Sequence, residues 1–232
     1  SGRGIGAAVA RELARRGHPV VVTARTSGEV GAVAGVINDA GGTALAIPAD
    51  LAAIGEVDRV VATVEDLLGP IGILVNNAAV LGPLAPIWET DPDDVDVTIA
   101  AGFTSAYRVL RAVLPGMVER GFGRVAAVSS SSAAVAFPGM AAYCATKAGF
   151  EHLHRVAARD CEGTGVLVNI VWPGGVATLM QDRLAANAGR EVPPMATPDD
   201  VAPRIADLCA ADVTVTGTLT DFDACGVTGC GP

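Results

Sequence analysis

Tyr143 and Lys147 stand four residues apart in the segment YCATK, and both types are scarce in this chain. Only two of the 232 residues are tyrosine, and of sixteen basic residues fifteen are arginine and one is lysine. Positions i and i+4 stack on one helix face, so the phenol and the ammonium can lie side by side. A phenol with an unperturbed pKa of about 10 is a poor acid–base group near neutrality, and an adjacent cation is expected to lower that value. Lysine suits this task because its compact ammonium acts as a point charge, whereas a guanidinium is a planar fork. The pair therefore predicts proton transfer to or from a substrate oxygen.

A pair of this kind needs a scaffold that presents it. Short β-branched runs at Pro19–Thr23, Thr43–Ile47, Ile71–Asn76, Arg124–Ser129, Val166–Val171 and Gly217–Phe222 predict strands. Helical periodicity fills the gaps at Gly4–Arg16 and near 28–40, 54–68, 91–119, 140–162 and 198–210. Strands that are apolar almost throughout predict a mostly parallel sheet covered by helices on both faces, a doubly wound, Rossmann-type α/β fold. Ligands of such sheets sit beyond the carboxyl ends of the strands. Asp50, Asn76, Asn77, Ser129, Ser130, Pro173 and Gly174 fall at those ends. The opening SGRGIG runs straight into a helix, where Gly2, Gly4 and Gly6 would let backbone approach a pyrophosphate held at the helix N-terminus. The strand that should feed this turn is missing from the chain as read, so 1–232 is expected to be a single nucleotide-binding domain lacking its first strand.

In order and spacing this set resembles the short-chain dehydrogenase/reductase family over essentially the whole chain: Ser1 to Gly6 for part of its glycine turn, NNAA at 76–79, a serine, Y-x-x-x-K and Pro173-Gly174. The resemblance implies an oxidoreductase that interconverts a ketone or aldehyde and an alcohol, with Ser130, Tyr143 and Lys147 as its catalytic residues. Ser130 stands at the family's separation from the tyrosine and would hold the substrate oxygen, with Ser129 and Ser131 as alternatives in the run of four serines. Lys147 would also bond the nicotinamide ribose. Further carry-over counts Gly2, Arg3, Gly4, Ile5, Gly6 and Leu51 among the cofactor-binding residues and places Asp50 beside the adenine. Asn76 and Ala78 then lie along the adenosine, and Val171, Pro173, Gly174, Val176 and Thr178 around the nicotinamide. The family's usual asparagine in the helix before the serine strand falls on Gly102, which keeps a backbone carbonyl but has no side chain to offer a proton relay.

No side chain donates hydride, so a cofactor is required. An acid at the end of the second strand would bind a ribose 2′-hydroxyl and a base would accept a 2′-phosphate. Ala24 stands where the acid is expected and Arg25 follows it, so NADP (NADPH) is expected; Arg3 agrees by resemblance. The alternatives are a 3-oxoacyl-thioester reductase of the same family and a non-catalytic NADP-binding sensor or structural protein. The segment from Gly174 to Ala196, with Met180, Leu184 and Met195, is expected to form a lid over the substrate.

A net charge of −9 with scattered arginines excludes a nucleic-acid stripe. No apolar run reaches the eighteen or so residues of a membrane helix, and the expected setting is cytoplasmic. Cys144, Cys161, Cys209, Cys225 and Cys230 lack any C-x-x-C spacing and are expected to be reduced thiols. His152 and His154 point to different faces of a helix, so they read as ordinary, partly exposed histidines with no metal between them. The implied partners are a small carbonyl or alcohol substrate and further copies of the chain, as a homodimer or homotetramer.

Overall fold

β4 (Gly123–Val128) is buried along its whole length, and its residues alternate between two cores. Val125 belongs to a cluster built from α3 (Glu56–Leu68), α5 (Ser105–Arg120) and α6 (Ala141–Asp160). Ala126 and Val128 belong to another, built from α1 (Gly4–Arg15), α2 (Ser27–Asp39) and α8 (Pro198–Asp207). Because side chains alternate across a strand, a strand apolar at every position must be covered on both faces. The computed structural model, which describes residues 2–223, is thus the expected doubly wound α/β fold. Ser1, Cys225 and Cys230 lie outside the described residues.

Among the described residues all strand pairs are parallel. β1 (Val20–Ala24) pairs with β2 (Ala44–Pro48) in the register Val20 to Ala44. β3 (Ile73–Asn76), β4, β5 (Val166–Trp172) and β6 (Leu219–Asp221) form a second sheet in that order, with Ile73 opposite Arg124 and Gly123 opposite Val166. β1 and β3 are not paired to each other, and their residues Val21, Ile73, Leu74 and Val75 are only half-buried. One core cluster nonetheless runs beneath both sheets, from Val20 and Val22 to Ala126 and Val171, with Ile73 and Val75 packed on it.

The helices carry conventional start signals. Thr197 and Asp200 form a reciprocal capping box at the start of α8, with Pro198 in the first turn. Asp91 caps α4 (Pro92–Ile99) by accepting from Asp93 N. The stretch expected as one helix near 91–119 is α4 and α5 joined by a π turn at Ala100–Thr104. A π turn frees backbone carbonyls from the regular ladder, and Ser105 Oγ donates to one of them, Ala101 O, at 2.6 Å. Gly102 sits inside this turn, and a Cβ there would lie 2.4 Å from Thr146 Cγ2 on α6. The close approach of α6 is the physical reason a glycine occupies this position.

Joined in this way, Pro92–Arg120 is a 29-residue helix of mean hydropathy 1.2 in its apolar window, long and apolar enough by composition to cross a membrane. That corrects the expectation that no segment reaches such a length. Its apolar residues Val109, Leu110, Val113 and Met117 pack in the core shared with α3 and α6. The expected lid contains a short helix, α7 (Leu179–Asn187), which periodicity alone did not separate from its loop.

Candidate active site

α6 delivers Tyr143 and Lys147 to the carboxyl end of β4, and both are buried, at 7% and 4% exposure. Lys147 Nζ donates to Val128 O at 2.8 Å and lies over the Phe150 ring, 4.8 Å from its centroid, and the Tyr143 ring, 5.9 Å away. The ammonium therefore meets the face of the phenol ring and a strand carbonyl. Burial lowers the Lys147 pKa to about 8 and pushes Tyr143 up to about 12, with the Ser130 hydroxyl pulling it back only in part. The expectation that the ammonium would lower the phenol is thus corrected. Desolvation disfavours the phenolate more than a cation aimed at the ring face favours it.

Among the four serines, Ser130 is the one whose hydroxyl meets the Tyr143 phenol; its Oγ also lies 3.2 Å from Ser132 Oγ. Ser129 is buried and donates instead to Glu151 Oε2 at 3.2 Å, and Ser131 is exposed. Glu151 also accepts from Trp172 Nε1 at 2.7 Å and from Arg155 Nη2 at 2.9 Å, so it ties α6 to the ends of β4 and β5. His154 is fully buried, which corrects the partly exposed reading. Its Nδ1 lies 2.7 Å from Phe150 O and its Nε2 3.2 Å from Asn76 Nδ2. One neutral tautomer satisfies both contacts: Nδ1–H donates to the carbonyl and Nε2 accepts from the amide. Burial holds its pKa at about 4.

A cavity of about 620 Å³ runs along the sheet rim from the glycine turn to α7. Of the residues expected at the site, Gly2, Arg3, Gly4, Ile5, Arg25, Asp50, Leu51 and Ala78 line its first half. Ser130, Tyr143, Lys147, Pro173, Gly174, Val176 and Thr178 line the second. Gly6, Asn76 and Val171 do not reach it, Val171 being fully buried in the core. Gly6 is buried within α1, and Asn76 is turned away toward His154, leaving Asn77 to face the cavity. Sequence reasoning missed Glu29, Leu81, Trp172 and Arg183, which also line it. Glu151 was missed too, although it repeats the i, i+4 step from Lys147 and so had a readable signal.

The first half suits a dinucleotide. Among the described residues no side chain caps the N-terminus of α1, so the N–H groups of its first turn have no side-chain acceptor there, and Gly4 holds the left-handed φ of +56° that keeps the turn tight. Arg3 and Arg25 add positive charge at that end. Beyond Tyr143 the lining is mixed: Leu81 and Met180, which belong to a cluster with Met140, Leu84 and Leu184, stand on the wall with Gln181 and Arg183.

A parallel sheet with a helix N-terminus that lacks a side-chain cap and a buried Tyr–Lys pair on one rim fits a nucleotide-dependent oxidoreductase. The short chain dehydrogenase family profile matches residues 1–189, and the chain belongs to this family, whose members use NAD or NADP. It is 33% identical to a 3-oxoacyl-[acyl-carrier-protein] reductase of Synechocystis sp., over 95% of this chain and 92% of that protein. A solved 3-ketoacyl-ACP reductase from Sinorhizobium meliloti 1021 superposes with a TM-score of 0.85 at 30% identity, covering 95% and 94% of the two chains. A metagenomic short-chain oxidoreductase in complex with NADP gives 0.80 at 31% identity, covering 95% and 92%.

Proposed function

We propose that the protein is an NADP-dependent reductase that converts a ketone or aldehyde to an alcohol, with Tyr143 as the acid–base group. The observation that carries this reading is the convergence of Ser130, Tyr143 and Lys147 on the wall of one cavity whose other end holds Arg3 and Arg25. When bound, a nicotinamide cofactor supplies or accepts the hydride. In reduction Tyr143 Oη gives its proton to the carbonyl oxygen, and Ser130 Oγ donates a hydrogen bond to the same oxygen as it gains charge. A phenol held at about 12 is fully protonated near neutrality, which is the form that reduction needs. The Lys147 ammonium stabilises the phenolate left after that transfer, and at about 8 its own pKa sits near working pH.

Tyr143→Phe is expected to abolish NADPH-dependent reduction of every ketone the parent accepts, followed by NADPH absorbance, while leaving NADPH binding intact. Turnover within a few-fold of the parent would remove Tyr143 from the role. The apolar side chains Leu81, Leu179 and Met180 on the cavity wall and the names of the relatives support a 3-oxoacyl thioester as a second substrate reading. A panel that pairs such thioesters with simple ketones separates the two.

The same reading treats the chain as one domain, because residues of β1, β3, β4 and β5 pack into one shared core cluster. Exposed Val97, Tyr107 and Val156 on α4, α5 and α6 support a homodimer or homotetramer formed through these helices.

A further inference from the structure

At the end of β1, where an acid would select a ribose 2′-hydroxyl, the chain has Ala24. The fold supplies an acid to the same place from another element. Glu29, on the first turn of α2, packs against the glycine turn so closely that a Cβ on Gly2 would lie 2.7 Å from Glu29 Cβ and 2.8 Å from its Oε2. Its Oε1 accepts from Arg3 Nη1 at 3.2 Å. Glu29, Arg3 and Arg25 all line the cavity. Of the two cations positioned for a 2′-phosphate, one is therefore already engaged by a carboxylate.

We infer that Glu29 sets the choice between a 2′-phosphate and a free 2′-hydroxyl on the adenine ribose, by holding Arg3 in an ion pair that the phosphate must break. This rests on the cofactor reading proposed above. A phosphate carrying between one and two negative charges loses Arg3 to Glu29 and meets Glu29 as a like charge. A 2′-hydroxyl carries no charge and can donate to the same carboxylate. Glu29 thus narrows the margin that Arg3 and Arg25 give to NADP and keeps NAD usable. The pair is partly exposed, with side chains at 68% and 34%, so the effect is modest.

Glu29→Gln keeps the stem packed on Gly2 and removes the charge. Binding of adenosine 2′,5′-bisphosphate and of 5′-AMP to the full chain, measured by calorimetry at low salt, reads the effect without turnover. The bisphosphate is expected to bind about fivefold more tightly to the variant, while 5′-AMP is unchanged or weaker. Glu29→Asp, which draws the carboxylate back from Arg3, is expected to shift the ratio the same way by less. A bisphosphate-to-AMP ratio within twofold of the parent in both variants, with unchanged melting temperatures, overturns the role of Glu29 alone. A parent chain that binds neither nucleotide overturns the cofactor reading, and the inference falls with it.

Discussion

Gly102 and Thr146 form a steric couple whose energy can be worked from one distance. A methyl group added at Gly102 would stand 2.4 Å from Thr146 Cγ2, well inside van der Waals contact, and 3.8 Å from Thr146 Cβ, which is an ordinary contact. Thr146 is 3% exposed and β-branched, so it has little freedom to turn aside. In Gly102→Ala, overpacking of about 1–3 kcal/mol opposes a helix-propensity gain of about 1 kcal/mol, for a net loss of up to ~2 kcal/mol. Thr146→Ser removes the offending methyl at a cost of about 1 kcal/mol. In that background Gly102→Ala should become stabilising by about 1 kcal/mol, because only the propensity gain remains. The coupling expected from a double-mutant cycle in urea is therefore about 1–3 kcal/mol. If Gly102→Ala costs the same in both backgrounds, α6 does not enforce the glycine. The same couple explains why the family's asparagine cannot simply be restored: Gly102→Asn should recover neither stability nor activity unless Thr146 is shortened with it.

Two further outcomes follow from the buried titratable groups. His154 has a folded pKa of about 4 against an ordinary value of 6.5, so between these limits the unfolded chain binds the extra proton. Stability is full above pH 6.5 and falls by about 3 kcal/mol on acidification to pH 4. The urea midpoint should follow that slope in the parent and lose most of it in His154→Gln; parallel profiles would refute the assignment. Lys147, lowered from 10.5 to about 8, is charged in the folded state near neutrality at a desolvation cost, and stability should rise as pH climbs from about 8 to 10.5. Lys147→Met is accordingly expected to be inactive yet more stable than the parent at pH 7, by on the order of 2 kcal/mol. A variant less stable than the parent would show that the bond to Val128 O outweighs desolvation.

The fold was legible because its signals are local. Apolar runs such as Val125–Val128 and helical stripes such as Val9 and Leu13 report burial directly, and every expected strand overlaps an observed one. The line-up of Ser130, Tyr143 and Lys147 was legible from spacing along one rim. What escaped were effects of tertiary proximity. Glu29 meets Arg3 across 26 residues of sequence, and Asn76 meets His154 across 78, so neither contact leaves a periodic trace. The ionisation of Tyr143 failed for a related reason: i, i+4 spacing shows that Lys147 is near but not that its ammonium faces the ring and a carbonyl inside a dry site.

The contacts of Lys147, Glu151 and His154 share one helix face. Tyr143, Lys147, Glu151 and His154 follow the i, i+4, i+8, i+11 stripe of α6, and all four are buried. Such a stripe would ordinarily be apolar. Here its polar members reach three strand ends: Lys147 to Val128 O on β4, Glu151 to Ser129 beyond β4 and to Trp172 on β5, and His154 to Asn76 on β3. Apolar contacts alone would let the helix rotate or slide at small cost, since dispersion is non-directional. Hydrogen bonds to fixed strand ends are directional, and breaking any one leaves a buried polar group unpaired. The stripe thus trades stability, visible in the depressed pKa values of Lys147 and His154, for a fixed rotation of α6 against the sheet. That rotation places the Tyr143 hydroxyl beside Ser130, and on it the proposed chemistry depends.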